Sequence, residues 1–152
     1  MPKTRTIPNP PSFRIPKVRG EWVEMKFMVR AAEAGLVVSK PYGDSAQFDF
    51  IVSNGERMHR VQVRGTRMMN RQRYFFCRLR YGSPPKRFPR DAFDFLAVYV
   101  VPCDLWYVIP MAALSATNTT IILYSHIPNS RGQFEKYREA WHLLARSMGA
   151  PS

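Results

Sequence analysis

The chain has 152 residues, 45% of them hydrophobic, which is enough for one domain with a buried core and too short for two. Its formal net charge of +12 comes from 23 Lys and Arg against 11 Asp and Glu, and implies an acidic partner such as nucleic acid. No run of about 18 apolar residues and no export signal occurs, so the expectation is a soluble, cytoplasmic protein with no membrane partner.

Residues 1–19 carry five basic residues, five prolines and no acid, a composition that cannot pack a core. They read as a flexible basic arm, with the folded domain over 20–150. From 21 to 34 the pattern becomes helical. Val23, Phe27, Met28, Ala31 and Ala32 make an apolar stripe, and Gly35 supplies a stop. Glu24 borders that stripe one turn before Met28, so it can face a sheet; it also fits a first-turn glutamate favoured by the helix dipole.

A short strand over 36–39 and a turn at Pro41, Tyr42, Gly43 and Asp44 lead into the most informative stretch, 47–64. Asn54-Gly55 between alternating apolar residues predicts a hairpin with a two-residue turn, so that Ser53 opposes Glu56 and Asp49 opposes Arg60. Phe48, Phe50 and Val52 then share one face with Val61 and Val63, and Asp49 shares the other with Arg60, Gln62 and Arg64. Asp49 and Gln62 become diagonal neighbours within roughly 7–8 Å, and their oxygens suit one small hard cation. A half-exposed strand with a polar solvent face has the same pattern.

A loop containing Met68 and Met69 is expected to be mobile, and a strand over 73–80 alternates apolar and basic residues in its later half. Residues 82–90, with three prolines, read as a second loop. The nearly continuous apolar run 93–101 is expected to be a central strand covered on both faces, with a neighbour at 105–109 stopped by Pro110. A further strand is read at 121–124. A final amphipathic helix is predicted over 133–148, with Phe134, Tyr137, Trp141, Leu144 and Met148 on one face. This order predicts a mixed α/β sheet flanked by helices.

From Arg57 to Arg90 there are eleven basic residues, ten of them arginine, and no acid. Arginine grips phosphate in fork geometry, so Arg57, Arg60, Arg67, Arg71, Arg73, Arg78, Arg80, Lys86 and Arg87 are the candidate DNA contacts. A solvated basic face is the plainer alternative. Cys77 and Cys103 have no metal spacing and read as buried free thiols, and His59, His126 and His142 as structural or surface residues.

Taken together, Glu24, the turn at 41–44, Asp49, the Gln62-Val63-Arg64 triplet, the 93–99 strand and Trp106 to Pro110 resemble the PD-(D/E)XK nuclease superfamily. The order and spacing are most similar to group I intron-encoded homing endonucleases that carry Gln-x-Lys. The resemblance runs from about Gly20 to Pro110. It implies a restriction-endonuclease-like fold over 20–150 and a DNA endonuclease hydrolysing phosphodiesters. It also implies Mg²⁺ or Mn²⁺ held by Asp49, Gln62 and Glu24, and a homodimer or homotetramer acting on double-stranded DNA. Glu24, Asp49, Gln62 and Arg64 take the catalytic positions.

This sequence departs from the pattern at Arg64, where the family has lysine. A guanidinium binds phosphate oxygens well but does not give up its proton to act as a base. Lys40 is the nearest alternative lysine in sequence, and reads first as a surface residue. Two other readings therefore stay open: a catalytically degenerate DNA-binding protein of the same fold, and a basic RNA-binding domain, since charge alone does not separate DNA from RNA.

Overall fold

The computed structural model describes residues 11–67, 69–114 and 119–145. Residues 1–10 of the predicted arm, Met68 and positions 146–148 of the predicted last helix lie outside them.

Val23, Phe27 and Ala31 form the buried stripe of helix α1 (Pro16–Glu33). Met28 and Ala32 are exposed, so the stripe is narrower than the sequence pattern predicts. The helix also starts earlier than 21, inside the stretch read as arm. Pro16 sits in its first turn, where a missing N–H and a fixed φ suit the helix, so composition alone misreads this proline. The stop is as expected. Gly35 has φ +81°, its N–H donates to Ala32 and that of Leu36 donates to Ala31, which brings buried Leu36 back onto the stripe.

The main sheet contains β1 (Val37–Ser39), β2 (Phe50–Ser53), β3 (Met58–Thr66), β7 (Phe95–Val100) and β8 (Leu105–Pro110), side by side in that order. Only β3 and β7 pair in parallel; the other pairs are antiparallel. Every residue of β7 is buried, as its continuous apolar run requires. Alternation along the strands splits the core in two. Phe50, Val52, Val61, Val63, Ala97 and Trp106 pack with α1 and with Trp141 and Leu144 of the C-terminal segment. Leu96, Val98, Tyr107 and Ile109 pack on the opposite face with a two-stranded sheet, β4 (Phe75–Arg78) and β9 (Thr120–Leu123). A small hairpin pairs β5 (Arg80–Tyr81), at the end of the predicted 73–80 strand, with β6 (Lys86–Arg87), in the stretch predicted as loop.

Three local expectations are corrected. Ser53 pairs with Met58, so the β2–β3 loop has four residues rather than two. The Asn54 Oδ1 accepts the N–H groups of Glu56 and Arg57 at 2.9 and 2.8 Å and stabilises that wider loop. The register moves by two, which preserves the faces of the paired residues but places Ile51, not Asp49, opposite Arg60. Phe48 lies before the strand and packs on the other core cluster, away from Phe50 and Val52. Finally, the helix predicted over 133–148 is broken. A 3₁₀ turn at Glu135–Tyr137 is followed by extended Arg138 and by Glu139 at φ +46°, and helix α2 covers only His142–Ala145. The Glu139 N–H donates to the Trp106 carbonyl and its carboxylate accepts the Trp106 N–H, so pairing with β8 overrides helical periodicity.

Gly65 on β3 sets how closely α1 approaches the sheet. A Cβ there would lie 2.9 Å from Val23 Cγ2. Gly65→Ala is expected to destabilise by about 1–3 kcal/mol through overpacking, with part of the loss recovered by Val23→Ala in the same chain. Thermal unfolding checks this, and a melting point unchanged by Gly65→Ala would refute the close packing.

Candidate active site

The α1 approach fixed at Val23 carries the next residue, Glu24, to the edge of the sheet where β2 begins. Asp49 sits there, lodged against β3. Its N–H donates to the Val61 carbonyl at 2.9 Å, and its Oδ2 accepts the Val63 N–H at 2.8 Å, so it lies across from Gln62.

The Glu24 and Asp49 carboxyls interact directly, and both titrate above the ordinary carboxylate range. For Glu24 the largest cause is burial, followed by the negative charge of Asp49, with Lys40 opposing both. For Asp49 burial again dominates, offset in part by the Val63 N–H and by the charge of Arg64. Two partly buried carboxyls that resist ionising together are suited to a divalent cation, whose charge removes the conflict.

Gln62 and Arg64 project from the β3 face opposite Val61 and Val63. Gln62 is only 8% exposed. Its carbonyl oxygen is of the hard type that suits a small divalent cation. Arg64 is held elsewhere. Its Nη2 donates to the Arg80 carbonyl at 2.9 Å, its guanidinium lies 5.5 Å from the Phe88 ring centroid, and its Nε is buried without a partner. Among the described residues no group of three or more His, Cys, Asp or Glu side chains is arranged to hold a metal. The oxygen groups brought together here are the carboxyls of Glu24 and Asp49.

Of the basic residues singled out by sequence, Arg57, Arg71, Arg73, Arg78, Arg80, Lys86 and Arg87 are exposed, and Arg67 is half-buried. Arg60 is neutralised by residues just beyond the acid-free stretch. It pairs with Asp94 at 3.2 Å and donates to the Asp91 carbonyl at 2.6 Å. Arg80 stands opposite Arg87 in the β5–β6 register, and like charges in that position repel. An anion between them would reverse the sign of that contribution. An adjoining cavity of about 810 Å³ is lined by Phe88, Phe93 and Phe95 and by Arg60, Arg87 and Arg90.

Sequence reasoning named Lys40 as an alternative lysine but not its place beside Glu24, and it missed Phe88. Lys40 Nζ lies 3.7 Å from Glu24 Oε2, and Phe88 provides the ring on which Arg64 rests. A lysine one residue before the turn leading to Asp49 was the available signal for the first; nothing local signalled the second.

A family model for PD-(D/E)XK endonucleases matches residues 15–144. Among solved structures, a bacterial homing endonuclease, I-Ssp6803I, superposes with a TM-score of 0.75 at 25% identity, over 86% of this chain and 93% of that one. A Holliday junction resolvase, Hjc from Archaeoglobus fulgidus, matches at 16% identity with a TM-score of 0.47, over 69% of this chain and 83% of that one. A search of curated protein sequences gives no significant match.

Proposed function

The chain belongs to the PD-(D/E)XK endonuclease family, with its restriction-endonuclease-like mixed sheet, and from that premise we propose that it is a Mg²⁺-dependent endonuclease of double-stranded DNA resembling homing endonucleases. The observation that carries this reading is the Glu24–Asp49 carboxyl pair at the margin of an arginine-rich face. Asp49, Glu24 and the Gln62 carbonyl would hold the cation, Mg²⁺ or Mn²⁺. When bound, it supplies Lewis acidity toward water and toward charge developing on the phosphate.

In the hydrolysis, a water oxygen bonds to phosphorus as one P–O ester bond breaks. A phosphate monoester and a hydroxyl result, with the water's proton ending on the leaving oxygen by way of solvent. The chain's own residues orient this step. Asp49 is fixed by the Val63 N–H, Glu24 by the packing of α1, and the exposed arginines grip the flanking phosphates. Cutting both strands calls for two such centres, so a homodimer or homotetramer is part of the proposal. The rival reading, a DNA-binding protein that does not cut, is favoured by one observation: the residue at the lysine position is an arginine already engaged by Arg80 and Phe88.

Plasmid cleavage with and without Mg²⁺ or Mn²⁺ separates the two. Metal-dependent nicking or linearisation is expected; tight duplex binding with no cutting in either metal would leave the rival. For the binding step, affinity should fall with salt at a log–log slope of about 0.9 per phosphate neutralised. Charge reversal at Arg71 and Arg73 should weaken binding and flatten that slope. An unchanged slope in the double variant moves the DNA face elsewhere.

A further inference from the structure

We propose that Lys40, on a different element from the lysine position of the family pattern, supplies the ammonium that faces the attacking water and the scissile phosphate. The inference rests on the nuclease reading above. Arg64, though its charge also reaches Asp49, is engaged by other partners. One nitrogen is given to the Arg80 carbonyl, and the guanidinium plane rests over Phe88, on the face opposite α1. Lys40 stands beside Glu24 of α1. Its Nζ is 3.7 Å from Glu24 Oε2 and 5.8 Å from the Phe50 ring centroid, and its charge acts on both Glu24 and Asp49.

The two side chains of this pair differ in freedom. That of Lys40 is 62% exposed, whereas that of Glu24 is 21% exposed and held on the helix. Lysine is a compact point charge on a flexible four-carbon stem, so Lys40 can leave Glu24 and follow an anion while Glu24 stays in place. Its placement gives it two effects of opposite sign. Before substrate arrives, it competes with a cation for the carboxylates. Once their charge is met by metal, the ammonium is available to the phosphate, where positive charge stabilises the transition state.

The test uses the full chain carrying Lys40→Gln or Lys40→Arg, with Mn²⁺ titrated calorimetrically in the absence of DNA and single-turnover plasmid cleavage measured at saturating metal. Lys40→Gln is expected to bind Mn²⁺ several-fold more tightly and to cleave about 100-fold more slowly. Lys40→Arg keeps the charge and should cleave within about tenfold of wild type. Tighter metal binding joined to slower cutting is a combination that a surface ion pair with only a structural role does not produce. Wild-type cleavage by Lys40→Gln overturns the role of Lys40 and leaves the nuclease reading intact. A wild type that binds DNA and cuts in neither Mg²⁺ nor Mn²⁺ overturns both.

Discussion

Asp49→Asn is expected to lower metal-dependent cleavage by at least about 100-fold while leaving the metal-free protein no less stable than wild type. The two halves of this expectation have one cause. Burial raises the Asp49 carboxyl above its unfolded value, so in the window between the two the folded chain keeps a proton that the unfolded chain has lost. Stability therefore falls as pH rises through that window, and the penalty is fully present above it. Asparagine carries no charge to bury, yet still offers an oxygen to the Val63 N–H that Asp49 accepts. At neutral pH the variant should unfold at or above the wild-type temperature, with the difference shrinking as pH is lowered. Thermal melts across pH, Mn²⁺ titration and plasmid cleavage measure the three components. A variant that binds Mn²⁺ and cuts like wild type would remove Asp49 from the site.

Glu135→Ala should produce the largest loss of stability. One carboxylate gathers the Tyr107 hydroxyl, the Tyr124 N–H and the Arg138 guanidinium, and Arg138 in turn donates to the Tyr124 and Ile127 carbonyls. The Glu135 side chain is 10% exposed and that of Arg138 is 24% exposed, so removing the acid leaves a largely desolvated cation without its counter-charge and the Tyr124 N–H unsatisfied, while the Tyr107 hydroxyl keeps Ser125 Oγ. The expected cost is about 3–5 kcal/mol, a large share of the roughly 5–15 kcal/mol that holds a domain together. At about 2–4 °C per kcal/mol, the melting temperature should drop by roughly 6–20 °C. Tyr107→Phe, which removes one hydroxyl, should cost far less. A Glu135→Ala melting point matching wild type would show that the network contributes little.

The sequence displays the elements whose burial is periodic. Val23, Phe27 and Ala31 announce the helix, and the run ending at Val101 announces the central strand, because burial on one face or on both writes itself into residue order. What is set by contacts between distant segments is hidden. Asn54 closes a four-residue loop with its side chain, which no alternation pattern encodes, so the register comes out two residues off while the paired residues keep their faces. The break at Glu139 depends on Trp106, 33 residues away, and no reading of 133–148 alone contains it. At the candidate site, the proximity of Glu24 to Asp49 was suggested by resemblance and has its physical basis in the contact of α1 with β3. The placement of Lys40 beside Glu24 needed both elements in space.

The single parallel pairing, β3 with β7, has a consequence for how this protein can change. Thr66 lies beside Val100, so the intervening arginine-bearing chain leaves the sheet and returns to a neighbouring lane. Where a loop within this excursion is flexible, each doubling of its length adds only about 0.6 kcal/mol of closure entropy. Segments spliced in beyond the β4 and β5–β6 supports would leave Asp49 and Glu24 untouched, since both precede the excursion in the chain. The arginine-bearing surface and the Glu24–Asp49 pair are thus written in separate stretches of chain yet joined through Arg64, which the Arg80 carbonyl and the Phe88 ring hold, so a lengthened loop tip, and not a wholesale exchange, is the change this architecture tolerates.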